Sequence, residues 1–562
     1  MTNDKQANRR IRLLLAVFVL VFAAALGRAA WLQVVHASTL GRDAQRMHEE
    51  TTTTPAGRGA ILDRSGVELA VGVQTTTVYA DPHLVTQPRA LAEAAHRLLG
   101  ADPNVLYPQL LQKSTHFVYV ARFADPKAAD KFLALHFAGV DSYPEEKRAY
   151  PQNTVAAPLI GYAGTDDTGL GGLELEYNKE LAGKAGHQTV ITDPMGRALD
   201  TISETPARPG ADVFTTIDHS IQANAEQVLR DTVAQWGAKA ATAIVMDPRT
   251  GAVLAMAQAP GYNDNNTSTT SQALQRERAV TDMFEPGSVF KLVTAAGALT
   301  EGIVTPKTTF TLPPCIQVAN YCIHDAEPRP TETMSVAQIL SRSSNVGAIT
   351  IAEKLGAPQL MNWIGKFGFG KPTGIDFPGE VAGSVPAYPS QWSGSTIGNV
   401  PIGQGVAVTS IQIAAAYGAI ANGGVWVQPH LVDRVGGHVV AHPKKRRIVS
   451  TAVDDELKTM LTGVVDEHDA TGTAAEIPGY TVAGKTGTAS VPGPHGYDTG
   501  KYVASFVGFV PVKNPQLLVL VSVDEPTRAI YGGTVAAPAF ASIAKFDLQY
   551  LAIPPDSSTT TG

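Results

Sequence analysis

The sequence predicts a multidomain α+β protein tethered to a membrane by one N-terminal helix. Three observations lead there. The chain has 562 residues, too many for a single hydrophobic core, so two or three domains are expected. One apolar run, 13–35, is long enough to cross a bilayer, and no second run of that length follows. Strand and helix signals are interspersed through the remainder. A composition of 44% hydrophobic and 17% charged residues is globular, and a net charge of -7 argues against nucleic acid as a partner.

The elements follow in order. Lys5, Arg9, Arg10 and Arg12 outweigh Asp4 ahead of LLLAVFVLVFAAALGRAAWLQVV, which Arg28 interrupts. Basic residues before an apolar run predict a short cytoplasmic N-terminus (1–12), a transmembrane anchor (13–35) and an exported remainder. The rival reading is a cleaved signal peptide, because 13–26 has h-region length and Ala23-Ala24-Ala25 resembles a cleavage site. Residues 36–54 are polar and Thr-rich, as a stalk would be. From 55 to 210, strand-like runs (GAILD, TTTVYA, HFVYVARF) mix with an Ala/Leu-rich helical run at 90–99. The texture changes near 210. Ile221, Ala225, Val228, Leu229 and Val233 form a helical stripe, followed by the strands AATAIVMD and AVLAMAQ about a turn at Pro248-Arg249-Thr250-Gly251. The expected division is therefore 36–210, 211–551 and a disordered tail, 552–562.

Three short motifs carry chemistry. In EPGSVFKLVTAAGAL (285–299), Ser288 and Lys291 lie three apart on one face of an otherwise apolar helix start. A serine hydroxyl needs a base to become a nucleophile, and a desolvated lysine can be that base. Alone, the pair is weak, since such spacing arises by chance and a lysine can snorkel to solvent. SRSSNVGAIT (341–350) holds Ser343-Ser344-Asn345, residues that equally suit a turn or cap. YTVAGKTGTAS (480–490) places Lys485-Thr486-Gly487-Thr488 on an expected strand, where a glycine marks close approach of a ligand or backbone. Cys315 and Cys322 lie without metal-type spacing, as a small disulfide loop or as two free thiols. The fourteen histidines form no ligand pattern and are read as surface or packing residues.

The order Ser288-x-x-Lys291, Ser343-x-Asn345, Lys485-Thr486-Gly487 resembles the three-part signature of penicillin-binding proteins and serine β-lactamases, with Ser344 where Asp stands in some members. FEPGSVFK, IGQGVAVTSIQIAAAYGAIANGG (402–424), DPRTGAVLAMA (247–257), RGAILDRSGVELA (58–70) and GLGGLELEYNKELAGKAG (169–186) resemble class B penicillin-binding proteins from the anchor to about residue 545. Within that class, 501–540 is more similar to the septal transpeptidases than to the elongation ones.

The resemblance implies an elongated mixed α/β pedestal resembling a dimerisation domain, then a penicillin-binding transpeptidase domain with an antiparallel sheet flanked by helices. It implies a D,D-transpeptidase that cross-links peptidoglycan stem peptides and is acylated by β-lactams. Ser288 would be the nucleophile, Lys291 its base, Ser343 a proton shuttle and Asn345 a substrate-amide ligand. Lys485, Thr486 and Thr488 would hold the terminal carboxylate, and Gly487 would let the acyl chain lie against the strand. No metal or organic cofactor is implied. Expected partners are a glycan polymerase and division proteins at the septum. The rivals are an elongation-type enzyme, a carboxypeptidase or β-lactamase, and a non-catalytic β-lactam sensor. Lys444-Lys445-Arg446-Arg447 reads as a solvated loop before a strand at 448–450, with anionic wall polymer as the other reading. Asp63-Arg64 and Glu174 read as ion-paired structural residues.

Overall fold

The computed structural model describes residues 3–35, 49–192, 198–386, 390, 392–493 and 496–557. The expected stalk lies outside the described residues as far as 48, and so does the tail from 558. The chain forms two compact units: Met1–Gly57 with Gly183–Pro209, and Arg58–Ala182 with Gly210–Gly562.

The first unit contains the helix Asn3–Ala30, continued by a π-helical turn Trp31–Val35. Leu14, Phe18, Leu20 and Phe22 are all more than half exposed along it, as a lipid-facing helix requires. At 1.5 Å per residue it is about 42 Å long, more than a bilayer core needs. The same unit holds three antiparallel strands, with Gly186–Thr192 between Glu49–Thr54 and Ala198–Thr205.

In the second unit the long strand Glu68–Ala80 pairs with Val118–Ala124 and Val140–Ala149. Helices Pro88–Leu99, Pro103–Leu110 and Pro126–Leu133 bury Leu91, Ala95, Leu106 and Phe132 beside Val78. Glu174 is fully buried and bridges Arg58 and Arg148, each at 2.6 Å, as the ion-pair reading expected. Asp63 differs. It accepts hydrogen bonds from the Ser65 and Val67 amides and from His219 Nδ1 at 2.7–2.8 Å, rather than pairing with Arg64.

The catalytic-half expectation of a helix-flanked antiparallel sheet holds. Strands β1 (Ala240–Met246), β2 (Val253–Ala259), β3 (Ala483–Gly493), β4 (Gly496–Val510) and β5 (Leu517–Asp524) run in the order β2-β1-β5-β4-β3, antiparallel throughout. Helices are α1 (His219–Trp236), α2 (Lys291–Thr300), α3 (Asn345–Leu355), α4 (Ser410–Ala421) and α5 (Ala537–Tyr550). Every residue of β1 and β2 is buried, because both sheet faces are covered. Ala243 and Val245 join the core with Leu229 of α1 and Ile543 of α5, while Ile244 and Met246 face the core of α2 and α4. Asp218 caps α1 through the Ser220 amide, and Gly237 ends it in the left-handed region at φ 59°.

One expectation is corrected. Lys445–Arg447 is itself the strand, paired with Val425–Val427, and no strand forms at 448–450. Arg446 lies 4.4 Å over the Trp426 ring, and Arg447 donates to the Gly423 carbonyl at 2.8 Å. Stacking and backbone bonding give this basic run an ordered place that charge patterning alone does not reveal.

Candidate active site

The turn that carries Ser288 is built by close backbone approach. Gly287 adopts φ 58°, donates its N–H to the Gly403 carbonyl at 3.0 Å, and starts a 3-10 turn, Gly287–Phe290, that runs into α2. A Cβ on Gly403 would stand 2.1 Å from the Gly287 carbonyl oxygen, so only glycine fits there. The Glu285 carboxylate accepts from the Gly405 amide (2.9 Å) and Tyr497 hydroxyl (3.1 Å), and Tyr417 donates to the Val289 carbonyl at 2.8 Å. From 285 to 299 only Ser288 is partly open to solvent. The hydroxyl is presented at the end of an otherwise sealed helix.

Lys291, one turn on, is 2% exposed. Its Nζ donates to the Ser343 carbonyl (2.5 Å), Asn345 Oδ1 (2.8 Å) and Ser343 Oγ (3.3 Å). Burial pushes its pKa down to about 7, against the opposing pull of the Asp325 charge. The ammonium therefore has three oxygen partners and no carboxylate in contact, which poises it to release a proton near neutral pH. Ser343 is held at φ 59°, a costly conformation for a residue with a side chain, and its carbonyl thereby reaches Lys291.

The second motif rests on a partner the sequence did not single out. Asp325 accepts from Ser344 Oγ (3.1 and 3.0 Å), from the Val346 amide (3.0 Å) and from Arg329 (2.5 Å). Burial opposes its ionisation, but these donors outweigh it and hold the carboxyl below the usual carboxylate range. Ser344 in turn caps α3 by accepting from the Gly347 amide at 3.0 Å. Asn345 donates to the His324 carbonyl at 3.1 Å. His324 and Asp325 end the small hairpin Cys315–Val318 with Tyr321–His324, and Cys315 and Cys322 are disulfide-bonded across it. Of the two cysteine readings, the bridged one holds. The bridge tethers the segment that orients Ser344 and Asn345.

The third motif lies on edge strand β3, which starts at Ala483. Lys485 is fully buried, with Nζ 3.2 Å from the Thr486 carbonyl and 3.3 Å from its hydroxyl. Burial and then the nearby Lys291 charge drive its pKa well below the ordinary lysine range. Thr486 Oγ1 shares a hydrogen bond with Thr471 Oγ1 at 2.8 Å, and Thr488 Oγ1 accepts from the Gly532 amide at 3.0 Å. Any side chain at Gly487 would strike Ser505 Oγ (2.3 Å) and the Pro286 carbonyl (2.9 Å). Strand β3 is thus pressed against the serine turn. All eight candidates converge: Ser288 on the turn, Lys291 on α2, Ser343 and Asn345 at the head of α3, and Lys485, Thr486, Gly487 and Thr488 on β3. Sequence reasoning missed Glu285, Gly403, Asp325 and Thr471, which carry no local signature.

The family model for the penicillin-binding protein transpeptidase domain matches residues 241–545, and that for the penicillin-binding protein dimerisation domain matches 53–215. A probable peptidoglycan D,D-transpeptidase PbpC of Pseudomonas aeruginosa is 34% identical, covering 99% of this chain and 97% of that protein. The peptidoglycan D,D-transpeptidase FtsI of Escherichia coli K12 is 33% identical over 98% of this chain and 93% of its own length. Among solved structures, penicillin-binding protein 3 of Mycobacterium tuberculosis in complex with aztreonam superposes with a TM-score of 0.71 at 28% identity, covering 90% of this chain and 99% of that one.

Proposed function

The chain belongs to the class B penicillin-binding proteins, peptidoglycan D,D-transpeptidases, and we propose that it works through an acyl-enzyme on Ser288 in septal wall synthesis. Ser288 Oγ attacks the carbonyl between the last two D-alanines of a stem peptide while Lys291 takes its proton. The backbone N–H groups of Ser288 and Thr488 stabilise the oxyanion, a device worth about 3 kcal/mol per donor in other serine enzymes. Ser343 passes the proton to the departing D-alanine amine, and Asn345 holds the substrate amide and Lys291. Lys485 with Thr486 and Thr488 receives the terminal carboxylate. The amine of a second stem peptide then attacks the ester, forms the cross-link and returns the proton. Residues 36–210 serve as pedestal and 211–551 as catalytic domain. The uncleaved helix at 13–35 anchors both outside the cytoplasm, beside a glycan polymerase and division proteins.

The observation that carries this reading is Lys291: a buried amine with a pKa near 7, one turn from the only residue of 285–299 partly open to solvent and bonded to both residues of the second motif. β-Lactams, such as the aztreonam and ampicillin bound by the mycobacterial relative, present an amide and carboxylate to the same groups. Mass spectrometry of the intact chain with benzylpenicillin tests it. One drug mass should be gained on the peptide containing Ser288 and persist from minutes to hours. No adduct would sink the reading, and rapid release with drug turnover would point to a hydrolase. Similarity at 501–540 supports the septal assignment. Depletion in a rod-shaped host should give long undivided cells, whereas rounded or bulging cells would assign the enzyme to elongation.

A further inference from the structure

We propose that Asp81, His83 and His116 form a zinc-binding site that fastens two loops of the pedestal. The pairing of Glu68–Ala80 with Val118–Ala124 ends at Ala80 opposite Val118, so the chain leaving one strand runs beside the chain entering the other. Those two exits carry Asp81 and His83 on one side and His116 on the other. The imidazoles stack with centroids 4.3 Å apart and planes 10° from parallel. Both turn Nδ1 towards one carboxylate: His116 Nδ1 is 3.3 Å from Asp81 Oδ2, and His83 Nδ1 is 3.9 Å from Oδ1. The three ligand atoms lie within 4.8 Å of one another.

The loops that bear them are fixed by other groups. Lys113 donates to the Pro82 and Val85 carbonyls, the latter at 3.1 Å, and Tyr79 stacks on Phe117 at 5.1 Å. The Asp81 amide donates to the Gly139 carbonyl at 2.7 Å, and Asp81 Oδ1 accepts the His83 amide at 2.9 Å. A borderline divalent ion satisfies both nitrogens and the carboxylate together. Zinc bonds of about 2.0–2.2 Å require the ligand atoms to draw in by roughly 1 Å, and because an imidazole binds a metal in its own plane the two exposed rings must tilt out of their stack to share the ion. Imidazole nitrogens favour zinc over magnesium or calcium. Solvent completes the coordination, and the ion plays no part at Ser288.

The test uses the detergent-solubilised, untagged full-length chain, titrated with zinc chloride against a chromophoric chelator while thermal unfolding is followed. One zinc per chain should bind and raise Tm. His116→Gln should weaken that site at least about tenfold, since losing even a group that merely supports a ligand costs that much elsewhere. His83→Ala with His116→Ala should remove both the site and the Tm shift, and magnesium should produce neither. Both histidines are exposed, so benzylpenicillin labelling of the double variant at the wild-type rate verifies its fold. A wild-type chain that takes up no zinc, or an equally tight site retained by His116→Gln and by the double variant, overturns the proposal.

Discussion

Two groups of buried charge in this molecule are built in opposite ways. Around Glu174, fully buried, Arg58 and Arg148 each approach a separate carboxylate oxygen at 2.6 Å. Arg58 also donates to the Asp167 carbonyl and Asn178 Oδ1, and Arg148 to the Gly59 carbonyl. Around Ser288, two buried lysines lie near enough for the Lys291 charge to act on Lys485, their hydrogen bonds run to neutral oxygens, and their pKa values fall. The first cluster sets a carboxylate between its two guanidinium groups and binds distant segments of the pedestal together. The second leaves charge uncompensated, so its protonation state is cheap to change. That contrast separates a structural ion cluster from a site built to move protons.

The contrast can be broken at either end. Ser288→Ala should abolish covalent penicillin labelling, read on a gel with a fluorescent penicillin, while the thermal melt stays unchanged. Labelling that survives would remove Ser288 from the mechanism. Lys291→Met should slow acylation by roughly a thousandfold or more, measured by stopped-flow, because the serine loses its base. Since it also removes a poorly compensated buried charge, its stability should not fall. A melt lowered as far as the acylation rate would make Lys291 structural.

Glu174→Gln is expected to do the reverse. It strands two buried guanidinium groups and should cost about 3–5 kcal/mol in denaturant unfolding, yet leave the acylation rate of the folded fraction near wild type. Next comes pH. Folding lowers the Lys291 pKa to about 7, so the free amine that acts as base should accumulate as pH rises through 7. Acylation should climb from pH 6 to 8 with a midpoint near 7, and a flat profile would deny Lys291 the role of base. The smallest effect is expected at Asp325→Asn, which weakens the charge-assisted bonds to Ser344 and Val346. It should slow acylation about tenfold without changing which residue is labelled.

How much of this was legible beforehand differed by element. The anchor, α1 and the strands around Pro248 follow from runs of apolar residues with the right period, and the period is a property of the backbone. The 285–299 helix declared its own oddity, a lysine among residues that avoid water. The basic run at 444–447 misled, because charge predicts solvation and gives no hint that Trp426 waits as a stacking surface. Asp325 sits nineteen residues before Ser344 with no motif about it, and Gly532 lies in the 501–540 stretch, which was read only for its similarity to the septal transpeptidases. A Cβ on Gly532 would stand 2.3 Å from the Gly487 carbonyl oxygen, so this glycine sets how closely its loop rests against β3.

By itself the sequence determined what lies within one turn or one strand: that Ser288 and Lys291 share a helix face, that Ser343-Ser344-Asn345 suits a turn or a cap, and that 13–35 can span a bilayer. Helix pitch and strand pleat fix such relations wherever the segment ends up. The tertiary structure alone decided that Lys291 meets Ser343 and Asn345, that Cys315 bonds Cys322, that Asp325 reaches Ser344, and that β3 presses on the serine turn. Each joins groups separated along the chain whose approach depends on the packing of everything between them. The pKa of Lys291 belongs there too. It comes from the water that folding removes and from the partners that folding supplies, neither of which the isolated helix possesses.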